Sequence, residues 1–176
     1  MIILIGGSSH VGKTLISQKL MEKTGFPYLS LDHLKMMFIR KGLTELTVND
    51  DYKMRYFLFP YAAEIIKVAI ENGQNMIVEG CYIPSEWKSE FSEDYLKHIR
   101  AFFITMSEKY LTENSESLAE YANVIENRVA DEIDIPRLIS CSREFREECK
   151  SFGNKNINID SEYDADKIVK EILDEI

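Results

Sequence analysis

A chain of 176 residues, 45% of them hydrophobic, is the size of one domain and can bury a sizeable core, which excludes a long multi-domain assembly. Its 21 Lys and Arg stand against 30 Asp and Glu, a net charge of −9 with no basic stripe, which argues against a general nucleic-acid surface. Cys81, Cys141 and Cys149 are odd in number and lack metal or redox spacing, and the apolar run at 1–5 is too short for a signal peptide or a membrane span, so a cytoplasmic protein with ordinary thiols is expected.

Ile2-Ile3-Leu4-Ile5 reads as a fully buried strand. It runs into Gly7-Ser8-Ser9-His10-Val11-Gly12-Lys13-Thr14, the phosphate-binding loop pattern GxxxxGK[ST] in its strand-loop-helix setting. Four residues between the glycines make a loop that can wrap a phosphate. The glycines free the backbone so that successive N–H groups point inward, and the polyphosphate sits on the positive end of the next helix. Lys13 then reaches the β- and γ-phosphates, while the Thr14 hydroxyl ligates the bridging Mg²⁺. The loop predicts a magnesium nucleoside triphosphate as ligand. The His10 side chain is expected to project away from phosphate.

The first helix is predicted over 13–24, stopped by Gly25 and Pro27. A short strand follows over 26–31, and Asp32-His33-Leu34-Lys35 opens a second helix ending before Gly42. Asp32 thus lies at the carboxyl end of that strand, where it suits either a carboxylate facing an acceptor or the N-cap of the helix. After a polar loop, with Asn49 or Asp50 as cap, a long helix is predicted over 52–72. It turns Tyr56, Phe59, Ala63, Ile66 and Ile70 inward, with Pro60 kinking or dividing it. Tyr52, Tyr56 and Tyr61 suit either an acceptor pocket or the core.

Residues 75–78 form the next strand, with Glu79-Gly80 at its carboxyl end. A buried strand that ends in an acid beside a phosphate loop gives that acid a cation to meet, so Glu79 is a candidate for Mg²⁺ or for the acceptor. A turn follows through Trp87, then an apolar strand over 99–105 with Ser107 as helix cap. Charged helical segments extend over 108–119 and 121–132, and a helix starting at Pro136 carries Arg137, Arg143 and Arg146. The last strand is predicted over 156–160 and an amphipathic helix over 164–176, with Ile168, Val169 and Ile172 inward. Strand and helix alternate throughout, so the expected fold is α/β, with a mostly parallel five-stranded sheet covered by helices on both faces. Ligands should collect beyond the carboxyl ends of its strands.

With these residues placed, the chain resembles the small P-loop kinases, the group that holds adenylate kinase, shikimate kinase, gluconate kinase and the chloramphenicol phosphotransferase and zeta toxin kinases. The resemblance spans the chain in architecture, although its motifs occupy few residues. It implies a P-loop NTPase three-layer sandwich forming one domain over 1–176, with an arginine-bearing helical lid at about 121–153. In such enzymes the acid ending the second strand meets the acceptor, and Asp32 of SLDHLK matches it. The element ending the third strand lies beside metal or acceptor, and Glu79 and Gly80 of IVEG match that place. Lid arginines close over the phosphates. Arg128, Arg137, Arg143 and Arg146 fall in the corresponding region, with Arg137 and Arg143 the first choices, although these arginines also suit a solvated helix paired with its own glutamates.

The adenylate kinase pattern places one arginine three residues after the strand-two acid and another four after the strand-three acid. Here those positions hold Lys35 and Ile83, which weakens a nucleoside monophosphate acceptor. The resemblance therefore implies an ATP- and Mg²⁺-dependent kinase acting on a small acceptor, more readily a hydroxyl metabolite than a monophosphate, and working as a monomer or homodimer. Lys13, Asp32, Arg137 and Arg143 are the catalytic candidates, and Asp32, Lys35, Glu79 and Gly80 meet the acceptor. A nucleotide switch with a protein partner is the other class considered; the chain has neither NKxD nor a strand-end DxxG, which speaks against a GTPase.

Overall fold

The computed structural model describes residues 1–115, 118 and 134–176. Five strands form one sheet: β1 (Ile2–Gly7), β2 (Tyr28–Ser30), β3 (Met76–Glu79), β4 (Ile99–Met106) and β5 (Lys155–Ile159). Their order is β2-β3-β1-β4-β5 and every pairing is parallel, so the sheet is wholly rather than mostly parallel. The main helices are α1 (Lys13–Thr24), α2 (Leu31–Arg40), α3 (Asp51–Glu71), the short α4 (Glu93–Leu96) and α5 (Glu108–Glu113), then α6 (Ile135–Phe152) and α7 (Ala165–Leu173).

β1 shows why the sheet is covered on both sides. Every one of its residues is buried, and alternate side chains enter different cores. Ile2 and Leu4 pack with Leu31 of α2, with Leu58, Ala62 and Ile66 of α3 and with Phe145 of α6. Ile3 and Ile5 pack with Ile16 and Leu20 of α1 and with Ile168, Val169 and Ile172 of α7. A continuous apolar run is what a central parallel strand needs, because neither face meets water.

The register then brings the chemistry together. Ile5 pairs with Glu79, Ser30 pairs with the same Glu79, and Gly7 pairs with Ile104. The phosphate loop, the start of α2 and the end of β3 therefore leave the sheet side by side at its carboxyl edge.

Three local expectations are corrected. Asp32 is not the N-cap of α2; Ser30 holds that position and Asp32 lies within the first turn. Pro60 sits inside α3 without dividing it. The helix continues because Phe59, Ala62, Ala63 and Ile66 are packed on either side of the lost hydrogen bond. Tyr56 is not in the core: Tyr52, Tyr56 and Tyr61 are all exposed on α3. Ser107 does cap α5, accepting from Tyr110 N at 3.0 Å, and Gly153 in the left-handed conformation ends α6. Of the expected lid span, the described part contains α6, a helix with Leu138, Ser142, Phe145 and Cys149 buried; Arg128 lies outside the described residues. No helix among the described residues is long and apolar enough to cross a membrane.

Candidate active site

The loop between β1 and α1 is fixed by contacts that only glycine permits. Gly7 has φ 118°, and a Cβ there would stand 1.9 Å from the Ile104 carbonyl oxygen. Gly12 has φ 77°, and a Cβ there would stand 2.0 Å from the Tyr163 hydroxyl. His10 adopts φ 62°, a left-handed conformation that is uncommon for a residue with a side chain. Ser8 is buried; its N donates to Ile104 O at 3.2 Å, and its Oγ lies 2.7 Å from Ser142 Oγ on α6. Val11 anchors the loop in the core beneath α1, while Ser9 lies partly exposed with the Cys141 thiol against its backbone. The cradle is thus tied to β4, α6 and the segment after β5.

Lys13 and Thr14 occupy the first turn of α1. Lys13 is buried, and its Nζ donates to Ser8 O at 2.6 Å, folding the ammonium back over the loop. The Thr14 hydroxyl lies 3.5 Å from Glu79 Oε1, at the long limit of a hydrogen bond. Glu79 is only 1% exposed. A carboxylate so deeply buried beside a hydroxyl at a helix N-terminus is a set of hard oxygen donors, which fits Mg²⁺ better than any softer metal. Gly80 follows directly, with its backbone against Leu31 at the head of α2.

A second cluster adjoins this one. Lys35 of α2, 8% exposed, lies 3.5 Å from Asp32 Oδ1 and 3.9 Å from Asp51 Oδ1, and its Nζ donates to the Tyr82 hydroxyl. Tyr82 in turn donates to Asp51 Oδ1 at 3.0 Å, and Arg137 reaches Asp51 Oδ2 at 3.1 Å. One turn along α3, Arg55 is 6% exposed; it meets Glu148 Oε2 at 3.3 Å and lies 4.3 Å from the Phe145 ring centre. Ser85 donates to the same Glu148 oxygen at 2.7 Å. The Arg55 Nε is buried without a partner among the described residues.

The two clusters leave the sheet side by side, since Ile5 before the loop and Ser30 before α2 both pair with Glu79, and Cys81 follows directly after Gly80. Burial pushes its thiol up, Lys13 draws it back down, and Asp32 and Asp51 push it up again. One side chain therefore lies within electrostatic reach of both the loop lysine and the two carboxylates. Burial likewise pushes the Tyr82 phenol far up, so it stays a neutral donor and acceptor between Lys35 and Asp51.

The sequence-predicted residues are thus mostly brought together. The eight loop residues, Glu79, Gly80, Asp32 and Lys35 gather at one edge, and Arg137 reaches it through Asp51. Arg143 instead pairs with Glu108 at 2.8 Å on the surface, and Arg146 reaches Asn158 at 3.4 Å. Trp87, to which the sequence gives no role, is buried and donates to Asn154 Oδ1 at 3.1 Å. It lines a cleft of about 240 Å³ with Arg100 and Lys155, at the amino ends of β4 and β5, away from the loop.

Sequence reasoning missed Asp51, Arg55, Tyr82 and Tyr163. Asp51 and Arg55 carried a signal, two charges four residues apart on an otherwise apolar face of α3. Tyr82 and Tyr163 lie in irregular segments, whose placement depends on tertiary contacts. The Tyr163 hydroxyl rests on Gly12, and burial pushes its phenol up to about 12.

No family model matches the sequence, and no curated protein matches it. Solved structures do. A gluconokinase from Sinorhizobium meliloti 1021 aligns at 18% identity over 98% of this chain and 89% of that one, with a TM-score of 0.57. A sugar kinase from Janibacter sp. HTCC2649 aligns at 14% identity over 98% and 92%, with a TM-score of 0.60. A deoxyadenosine kinase from M. mycoides aligns at 16% identity over 99% and 98%, with a TM-score of 0.55. The likeness runs through nearly the whole of both chains in each case. The phosphate loop, the all-parallel sheet and these alignments together show that the chain has the fold of the small P-loop kinases.

Proposed function

We propose that the chain is an ATP- and Mg²⁺-dependent kinase that transfers the γ-phosphoryl group to a hydroxyl of a small acceptor. The observation that carries this reading is the sheet register: Ile5, ahead of the phosphate loop, and Ser30, ahead of Asp32 and Lys35, both pair with Glu79. A phosphate donor and an acceptor-binding acid side by side are what group transfer requires.

In this reading the loop amides and the α1 N-terminus hold the phosphates, and Lys13 turns from the Ser8 carbonyl to the transferred group. Thr14 and Glu79 are the residues that would hold Mg²⁺, which would neutralise charge on the phosphates when bound. Asp32 orients the acceptor hydroxyl and takes its proton. Arg137 borders the acceptor and is the arginine best placed to act; Arg143, held by Glu108, has the weaker claim. The engagement of Lys35 by Asp32, Asp51 and Tyr82 supports a hydroxyl acceptor over a monophosphate.

The test is ADP release from Mg-ATP against sugars, sugar acids, polyols, nucleosides and their monophosphates. The expected result is release stimulated by a hydroxyl compound, with Asp32→Asn keeping ATP affinity and losing about 10²–10⁴-fold in kcat. ADP release indifferent to every acceptor would overturn the reading and favour a switch with a protein partner.

A further inference from the structure

Resting on that kinase reading, we infer that the acceptor is an uncharged hydroxyl compound, sugar-like or nucleoside-like, and that Asp51 sets this preference. The cations at the acceptor end are already matched to carboxylates. Lys35 faces Asp32 and Asp51, Arg137 faces Asp51, and Arg55 faces Glu148. Three positive and three negative side chains sum to zero formal charge.

The arrangement has consequences for recognition. Asp51 is shared: its Oδ1 takes Tyr82 and faces Lys35, while its Oδ2 takes Arg137. A phosphate or carboxylate on the acceptor can reach the buried Lys35 ammonium only by displacing Asp51, and at Arg137 it stands beside the Asp51 carboxylate that already takes one of the guanidinium nitrogens. Lys35 is less than a tenth exposed, so its pairing with the carboxylates is weakly screened, while Asp32 and Asp51, 39% exposed, repel an anion through partly screened charges. A hydroxyl group meets no such obstacle, because it donates to a carboxylate and accepts from an ammonium in the same site.

The experiment compares kcat/KM for matched acceptor pairs, glucitol against gluconate and adenosine against AMP, in the full chain with Mg-ATP. Wild type should favour the uncharged member of the pair it uses by at least tenfold. Asp51→Asn keeps the side-chain shape and a group to accept from Tyr82 but removes the charge, leaving Arg137 unmatched. It should shrink that ratio at least tenfold through a lower KM for the acid. Asp51→Glu, which restores the charge, should keep the wild-type ratio and so separates charge from damage to the fold. Preference for the acid in wild type, or a ratio that Asp51→Asn does not move, overturns the inference while the kinase reading stands. Transfer to none of the four compounds nor to any hydroxyl compound, with Mg-ATP bound, overturns both.

Discussion

Glu79 carries the most exacting demand of any single side chain in the site. It is 1% exposed at the end of a buried strand, with the Thr14 hydroxyl 3.5 Å from its Oε1. An ionised carboxylate is costly to bury unless it is matched by hydrogen bonds or a cation, so the groups around Glu79 decide its role. If it orients the ligands of Mg²⁺, Glu79→Gln should raise the Mg²⁺ concentration for half-maximal activity about 10–100-fold, the range seen when a supporting ligand of a metal is lost. Titration of ADP release against Mg²⁺ at saturating ATP measures this. An unchanged Mg²⁺ dependence would leave Glu79 with a purely structural place. The residue itself was legible in the sequence because an acid ending an apolar strand is conspicuous. Its partner Ser30 across the sheet was not, since register is set by tertiary pairing.

At the level of elements, α6 joins arginines of the kind a lid carries to a face packed in the core. Its Arg137, Arg143 and Arg146 suggested a helix belonging to a lid, yet Phe145 is fully buried, stacks at 6.4 Å from Phe103 of β4 and carries the Arg55 guanidinium on its face. Ser142 on the same helix bonds Ser8 of the phosphate loop. The helix therefore packs behind the loop, with Arg137 turned to Asp51 and Arg143 to Glu108. Phe145→Ala should cost about 3–5 kcal/mol in urea unfolding, as expected for a large side chain removed from a packed core. A helix that moves freely over the site would lose no more than about 0.5 kcal/mol, as an exposed position does. The boundaries of α1, β3 and β4 followed from apolar runs, glycines and caps, signals that act within a few residues. The inward face of α6 did not, because its Leu138, Phe145 and Cys149 are spaced among seven charged residues and only packing against β4 reveals which side is buried.

Over the whole molecule, the phosphate loop is a junction rather than an appendage. Gly7 lies against Ile104 of β4, Gly12 against Tyr163 after β5, Ser8 against Ser142 of α6, and Lys13 and Thr14 begin α1. Both cores therefore converge on the segment that would take the nucleotide, and an unfolded chain has no such cradle. A ligand that binds only the folded chain adds RT ln(1 + [L]/Kd) to its stability, about 2.7 kcal/mol when present at a hundred times its Kd. For a chain of this size each kcal/mol moves the midpoint by about 2–4 °C, so Mg-ATP at that level should raise Tm by roughly 5–11 °C. On the proposed reading Lys13→Ala removes the cation that would meet the β- and γ-phosphates but leaves the cradle amides, so its shift should fall to a small fraction of that. Thermal unfolding with and without Mg-ATP measures both. An equal shift in the two proteins would place the nucleotide somewhere other than this loop, and the Asp32 and Asp51 cluster would lose its phosphate donor.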